Sequence, residues 1–238
     1  MLRTILYFAY FWILMTFFIL FYIINQILIL IRNRRLLRKF IIFEQRIWAH
    51  SLLWIVGAKM EVVGLENIPE HDNVCFVSNH QSYIDVMLIL ANMPKRVGFV
   101  GKKELRWVPI FGNLAKQVGC VFINRKDREQ AVALIAQRLV DVKKGNPLLI
   151  FPEGTRSKSD KMNKFKVNGL LTILNADLIV VPLSVSGTSK CYEQHGRITP
   201  GKIKLVVHPA IETEKLAQSE RDNFVEYIEQ IVQSGIVV

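Results

Sequence analysis

Two side chains five positions apart, His80 and Asp85, carry the chemistry most readily read from this sequence, in the run Asn79-His80-Gln81-Ser82-Tyr83-Ile84-Asp85. A carboxylate bonded to one imidazole nitrogen fixes the tautomer, steadies the imidazolium and leaves the other nitrogen as a base near neutral pH. Five positions along a helix turn a side chain through about 140° past a full circle, so the pair cannot meet from mid-helix. They meet if His80 sits on the turn after a strand and Asp85 in the first turn of the next helix. The apolar run from Val74 to Ser78 supplies that strand, and strand carboxyl ends are where α/β folds place their sites. No G-x-S-x-G accompanies the pair, so the base is expected to act on a hydroxyl of the substrate itself. Taken alone, this spacing is weak and fits a satisfied structural histidine better than a catalytic one.

A second run, Phe151-Pro152-Glu153-Gly154-Thr155-Arg156-Ser157, also follows a short apolar stretch. Behind it come Lys158, Lys161, Lys164 and Lys166 with Asp160 as the one acid. Arg156 offers a planar fork suited to phosphate, and Gly154 lets backbone amides approach an anion. For the four lysines a solvated basic loop is an open alternative. No metal is expected, because His50, His71, His195 and His208 show no ligand spacing, and Cys75, Cys120 and Cys191 form neither a C-x-x-C nor a disulfide framework. Three scattered free thiols suit a reducing compartment.

The elements that must hold these residues alternate. Strand-length apolar runs occur at 74–78, 97–100, 119–123, 148–151, 179–186 and 203–207, without strict alternation, as in strands covered on both faces. Between them lie helical stretches, notably 130–144 with Val132, Ile135, Leu139 and Val142 on one face and Gly145 and Pro147 at its end. A last helix is expected over 220–234, with Ser219 and Asp222 at capping-box spacing. The fold class is therefore α/β, a mixed sheet flanked by helices. Residues 1–60 read as membrane-anchoring helices and 61–238 as one catalytic domain, with a boundary loop through Gly64, Pro69 and the polar string 70–73.

Hydrophobic residues make up 51% of the chain and charged ones 21%, with a mean hydropathy of +0.26, which joins an apolar part to an ordinary globular one. From Thr4 to Ile31 no residue carries a formal charge. As a helix that stretch is about 42 Å long against a hydrocarbon core of about 30 Å, so it spans with tilt or lies partly re-entrant. A cleaved signal peptide is the competing reading, but the run ends in Arg-Asn-Arg-Arg-Leu-Leu-Arg-Lys rather than a small-residue cleavage site. Five cations follow the run and Arg3 precedes it, which puts the catalytic part on the cytoplasmic face. Residues 40–60 read as an amphipathic interfacial helix, a core helix of the catalytic domain being the alternative. Net charge is +11, and the first 60 residues hold eight cations against Glu44 alone. Basic charge in the most apolar quarter favours an anionic membrane surface over nucleic acid, for which no binding motif is present.

The ordered blocks NHQSYID, GKKELRWVPIFG, GCVFINR, FPEGTRS and VVPLSVSG resemble the 1-acylglycerol-3-phosphate acyltransferase family from about Val62 to Gly187. The resemblance implies a membrane glycerolipid acyltransferase. It would move an acyl group from acyl-CoA or acyl carrier protein to the sn-2 hydroxyl of lysophosphatidic acid, giving phosphatidic acid without a cofactor. It makes His80 the base and Asp85 its partner. It gives Arg125, Glu153, Gly154 and Arg156 acceptor-binding roles, with Lys102 a further candidate for the phosphate, and leaves the block around Val181 and Pro182 structural or acyl-facing. Two positions depart from the family pattern: Asn168 and Asp177 stand where relatives commonly have glycine. Both residue types tolerate left-handed backbone, so the turns are expected to survive. Two rivals stay open, an acyltransferase for glycerol 3-phosphate or another lysophospholipid, and a non-enzymatic membrane lipid-binding protein.

Overall fold

The computed structural model describes residues 1–237 and begins with two helices, α1 (Leu2–Leu30) and α2 (Arg34–Val56). The break between them falls where charge begins. Arg32 takes a left-handed φ of 55°, and the Asn33 side chain caps α2 by accepting from the Leu36 N–H at 3.0 Å. Gly57, left-handed at φ 75°, ends α2.

The sheet starts directly after this glycine, with β1 (Lys59–Val63), β2 (Val74–Ser78), β3 (Gly98–Lys102), β4 (Val121–Ile123), β5 (Leu148–Ile150), β6 (Ile179–Ser186), β7 (Lys202–Val207) and β8 (Ile211–Glu212). Its helices are α3 (Ile84–Asn92), α4 (Phe111–Val118), α5 (Arg128–Lys143), α6 (Val167–Leu174), α7 (Thr188–Cys191), α8 (Gln218–Asp222) and α9 (Phe224–Ser234). The strand order is β1-β7-β6-β2-β5-β3-β4, with β8 added to β6. All pairings are parallel except β6–β7 and β6–β8.

The central strand shows why the sheet is covered twice. Every residue of β2 is buried: Val74 and Phe76 enter one apolar cluster, Cys75 and Val77 another. The first cluster takes Leu52, Leu53 and Val56 of α2, Leu88 and Ile89 of α3, and Tyr7, Leu14 and Phe18 of α1. The second takes Leu139 and Val142 of α5, Leu170 and Ile173 of α6, and Phe224 and Ile228 of α9. Continuous apolar runs suit strands packed on both faces. One strand in from the edge strand β1, β7 alternates buried positions with more open ones.

Three expectations need correction. The expected last helix is two, because the ladder breaks at Asn223; α8 starts at Gln218, and Glu220 reaches back to the Ala217 N–H at 3.0 Å, so Ser219 and Asp222 form no capping box. Asp177 is left-handed at φ 47°, but Asn168 lies inside α6, where no glycine geometry is required. The expected second helix over 40–60 occupies 34–56, and residues 59–63 belong to the sheet.

Candidate active site

Parallel pairing brings the functional loops together. β2 is flanked by β5 on one side and β6 on the other, and both run parallel to it. The carboxyl ends of these three strands, and of β4 beyond β3, therefore open on one edge of the sheet. From that edge the chain continues into His80, Phe151 to Ser157, Thr188 and Arg125.

At the end of β2 the turn is pinned before the helix begins. Asn79 clasps Val185 of β6 through both of its backbone groups, at 2.9 and 2.8 Å, which fixes the residue preceding His80. Asp85 is the second residue of α3, fully buried. Its Oδ2 accepts from the Ser82 N–H at 2.9 Å and meets His80 Nδ1 at 2.8 Å. Its Oδ1 accepts from the Thr188 hydroxyl. A carboxylate in a first helical turn is favoured by the helix dipole, and three donors offset its burial. Nδ1 is thus committed to Asp85, and Nε2 is the nitrogen left to accept a proton. The imidazole also stacks on Phe151, with ring centroids 4.0 Å apart and planes at 20°.

The loop after β5 is tied to the same turn. Glu153, 2% exposed, accepts from the His80 N–H at 2.6 Å and from the Asn163 N–H at 3.0 Å. Burial pushes this carboxyl up to about 7 against those two bonds, with the Asp85 charge adding to the rise. The Ser157 N–H donates to the His80 carbonyl at 2.8 Å. Glu153 is therefore a brace beneath the histidine. Gly154 has φ 70°, so the turn favours glycine, and a Cβ there would stand 2.6 Å from the Lys166 Nζ, which would have to swing aside.

His80 opens into a cavity of about 420 Å³ that Arg125, Arg128, Gly154 and Lys166 also line. Burial, and secondarily the nearby Arg156 charge, lower the Arg125 pKa. Arg156 stands to the side: Nη1 donates to Glu193 Oε1 at 2.8 Å, and the guanidinium carbon sits 3.5 Å from the Tyr83 ring centroid. Lys102 ends β3 with its side chain 57% exposed and its ammonium 3.5 Å from Glu104, away from the cavity's lining. His80, Asp85, Glu153, Gly154, Arg125 and Arg156 are thus brought to one edge, and Lys102 is not among the residues facing His80. Sequence reasoning missed Thr188, Glu193, Arg128 and the clasp by Asn79. Thr188 lies 103 residues from Asp85, and Glu193 lies 110 from Tyr83 and 37 from Arg156, so no local spacing announces them.

A second, largely apolar cavity of about 430 Å³ lies between α1 and α3, lined among others by Tyr7, Phe11, Trp12, Met87 and Tyr83. Tyr83 therefore separates apolar space from Arg156. Among the described residues no cluster of three His, Cys, Asp or Glu side chains is arranged to hold a metal ion.

Residues 59–186 match the family model described as Acyltransferase. The chain is 32% identical over 177 residues to a chloroplastic 1-acyl-sn-glycerol-3-phosphate acyltransferase of Brassica napus, covering 73% of this chain and 51% of that one. It is 29% identical over 181 residues to the human 1-acyl-sn-glycerol-3-phosphate acyltransferase alpha, covering 74% and 62%. The chain thus spans about half the length of the plant relative. The crystal structure of the 1-acyl-sn-glycerophosphate acyltransferase PlsC from Thermotoga maritima superposes with a TM-score of 0.83 at 29% identity, covering 99% of this chain and 95% of that one. The α/β sheet with its flanking helices is thus a fold this chain shares, and with the matched model across strands, histidine turn and FPEGTRS loop the chain belongs to the Acyltransferase family.

Proposed function

We propose that this protein esterifies the sn-2 hydroxyl of 1-acylglycerol-3-phosphate from an acyl thioester, giving phosphatidic acid. The observation that carries this reading is His80 at the head of a cation-lined cavity, its Nδ1 2.8 Å from a buried Asp85. The acceptor phosphate docks between Arg125 and Arg156, which brings its hydroxyl to His80 Nε2. The imidazole takes the hydroxyl proton as the oxygen attacks the thioester carbonyl. The tetrahedral intermediate collapses by breaking the carbon–sulfur bond, and the imidazolium gives its proton to the departing thiolate, which restores the neutral base and releases free thiol. Base catalysis by His80 contributes about 10²- to 10⁴-fold, and Asp85 stabilises the imidazolium it forms. The apolar cavity behind Tyr83 receives an acyl chain. The donor is acyl-CoA or acyl carrier protein, and no resident cofactor enters the scheme.

Membrane attachment follows from α1, the helix among the described residues that is long and apolar enough to cross a bilayer. Leu2, Ile5, Ile13, Phe17 and Leu20 stand exposed along it. Both of its ends bond to the catalytic part, however: the Thr4 hydroxyl accepts from the Ile198 N–H at 2.9 Å and Asn25 donates to Gln117 at 3.2 Å, while Arg3 donates to the Val56 carbonyl at the end of α2 at 3.0 Å. A helix held at both ends to one side favours lying in the membrane face over crossing it. The basic start of α2 then meets anionic headgroups on the cytoplasmic side. The test is an assay of purified protein with lysophosphatidic acid, glycerol 3-phosphate and lysophosphatidylcholine, each with palmitoyl-CoA and palmitoyl-acyl carrier protein. Lysophosphatidic acid should be acylated fastest; a faster rate on either other acceptor overturns the substrate assignment.

A further inference from the structure

Glu193 lies just beyond α7, its side chain 3% exposed. Its Oε1 accepts from Arg156 Nη1 at 2.8 Å and from the Tyr83 N–H at 3.1 Å, while Oε2 is buried without a partner. Tyr83 immediately precedes α3 and carries the ring on which Arg156 lies. The guanidinium is therefore held on two axes, its face by the Tyr83 ring and its edge by Glu193, yet 22% of the side chain stays open. A loop closed only for packing gains nothing from a buried carboxylate with one idle oxygen, which costs free energy that an apolar side chain avoids.

We propose that Glu193 is a positioning residue for acceptor binding: it turns Arg156 so that the remaining N–H donors of the fork face the phosphate, and ties that arginine to the helix bearing Asp85. The inference rests on the reading of Arg156 as a phosphate ligand. Glu193 touches no reacting atom, so its effect falls on acceptor affinity rather than on the acyl-transfer step. Its charge is already matched by Arg156, so position should count for more than charge.

The experiment is steady-state kinetics on the full chain with whichever palmitoyl thioester the parent turns over. Glu193→Ala should raise KM for lysophosphatidic acid about ten- to a hundredfold, as misplacing a charge-assisted hydrogen bond would, with kcat and donor KM within about threefold. Glu193→Gln, which keeps an oxygen to accept both bonds, should stay near the parent. If the alanine variant does not fold, Glu193→Asp, which withdraws the carboxylate by one methylene, should show the same selective rise in acceptor KM. An unchanged acceptor KM, an equal rise in donor KM, or equal losses in the alanine and glutamine variants would each overturn the proposal. Arg156→Ala separates the two readings. If it leaves acceptor KM unchanged, the phosphate assignment fails; if it raises KM while Glu193→Ala does not, this inference alone fails. Added to Arg156→Ala, Glu193→Ala should cost nothing further.

Discussion

The loops that leave β2 and β5 sit side by side at one sheet edge yet are built differently. The reacting side chains of the β2 loop are bonded mainly to one another: Ser82, His80 and Asp85 bond within six residues, with Thr188 the one distant donor to the carboxylate, while other distant partners hold the loop's backbone and Asn79. The β5 loop is settled from outside, with Glu153 reaching back to His80, Arg156 held by Glu193, and Lys166 folded over Gly154. A group that must hold one proton in one direction benefits from a short, buried, fully bonded frame. Groups that meet an anion need open donors, and their aim comes from partners far along the chain. On this view substitutions in the first loop strike turnover, and those in the second strike affinity or stability.

The most severe break should come from His80→Ala, which removes the base and lowers kcat by about 10²- to 10⁴-fold while leaving acceptor KM nearly unchanged. Initial rates at saturating acceptor read this directly, and unchanged turnover would sink the mechanism. Next is Asp85→Asn, which keeps the shape but offers Nδ1 an amide and no longer steadies the imidazolium. A fall in kcat of roughly a hundredfold is expected, with a shifted pH profile; a loss confined to KM would erase the contrast between the loops.

A third test concerns the brace. Glu153 is pushed from 4.5 up to about 7 in the fold, so between those values the folded protein holds a proton that the unfolded chain has released. Its contribution to stability is then largest below the lower value and declines as pH rises through the upper one, by up to about 3 kcal/mol. Thermal unfolding in detergent should show a midpoint that falls from pH 5 to pH 8, and Glu153→Gln should flatten part of that fall. Glu44 of α2, raised to about 7 by burial, should account for a share that Glu44→Gln removes. A flat parent profile would contradict both. The smallest effect is reserved for Lys102→Gln, expected to change acceptor KM by less than about threefold, since exposed ion pairs such as Lys102–Glu104 contribute little. A tenfold rise would place Lys102 in the phosphate site.

What was legible in the sequence follows the same division. The bounds of β2 and β6 and the meeting of His80 with Asp85 at a strand-to-helix turn were readable, because continuous apolar runs and a five-residue spacing are local signals. The sheet edge was not: β1, Lys-Met-Glu-Val-Val, looks like a linker until β7 pairs with it, and β8 is two residues long. The break at Asn223 was hidden because no glycine or proline marks it between Gln218 and Ser234. Glu193 gave no sign at all, sitting in a turn whose purpose depends on a tyrosine 110 residues earlier.

The shared core of α1, α2 and the sheet has a mechanical corollary. Leu52 and Val56 pack in the same cluster as Phe76 and Leu88, Arg3 is bonded to the end of α2, and Thr4 is bonded to Ile198 just before β7. The anchor is thus a foundation rather than a leash. On the proposed membrane attachment, lipid that grips these helices sets the altitude and tilt of the imidazole above the acyl chains, so grafting an unrelated hydrophobic tail would keep the protein at the bilayer and still leave it misaligned with the proposed substrates.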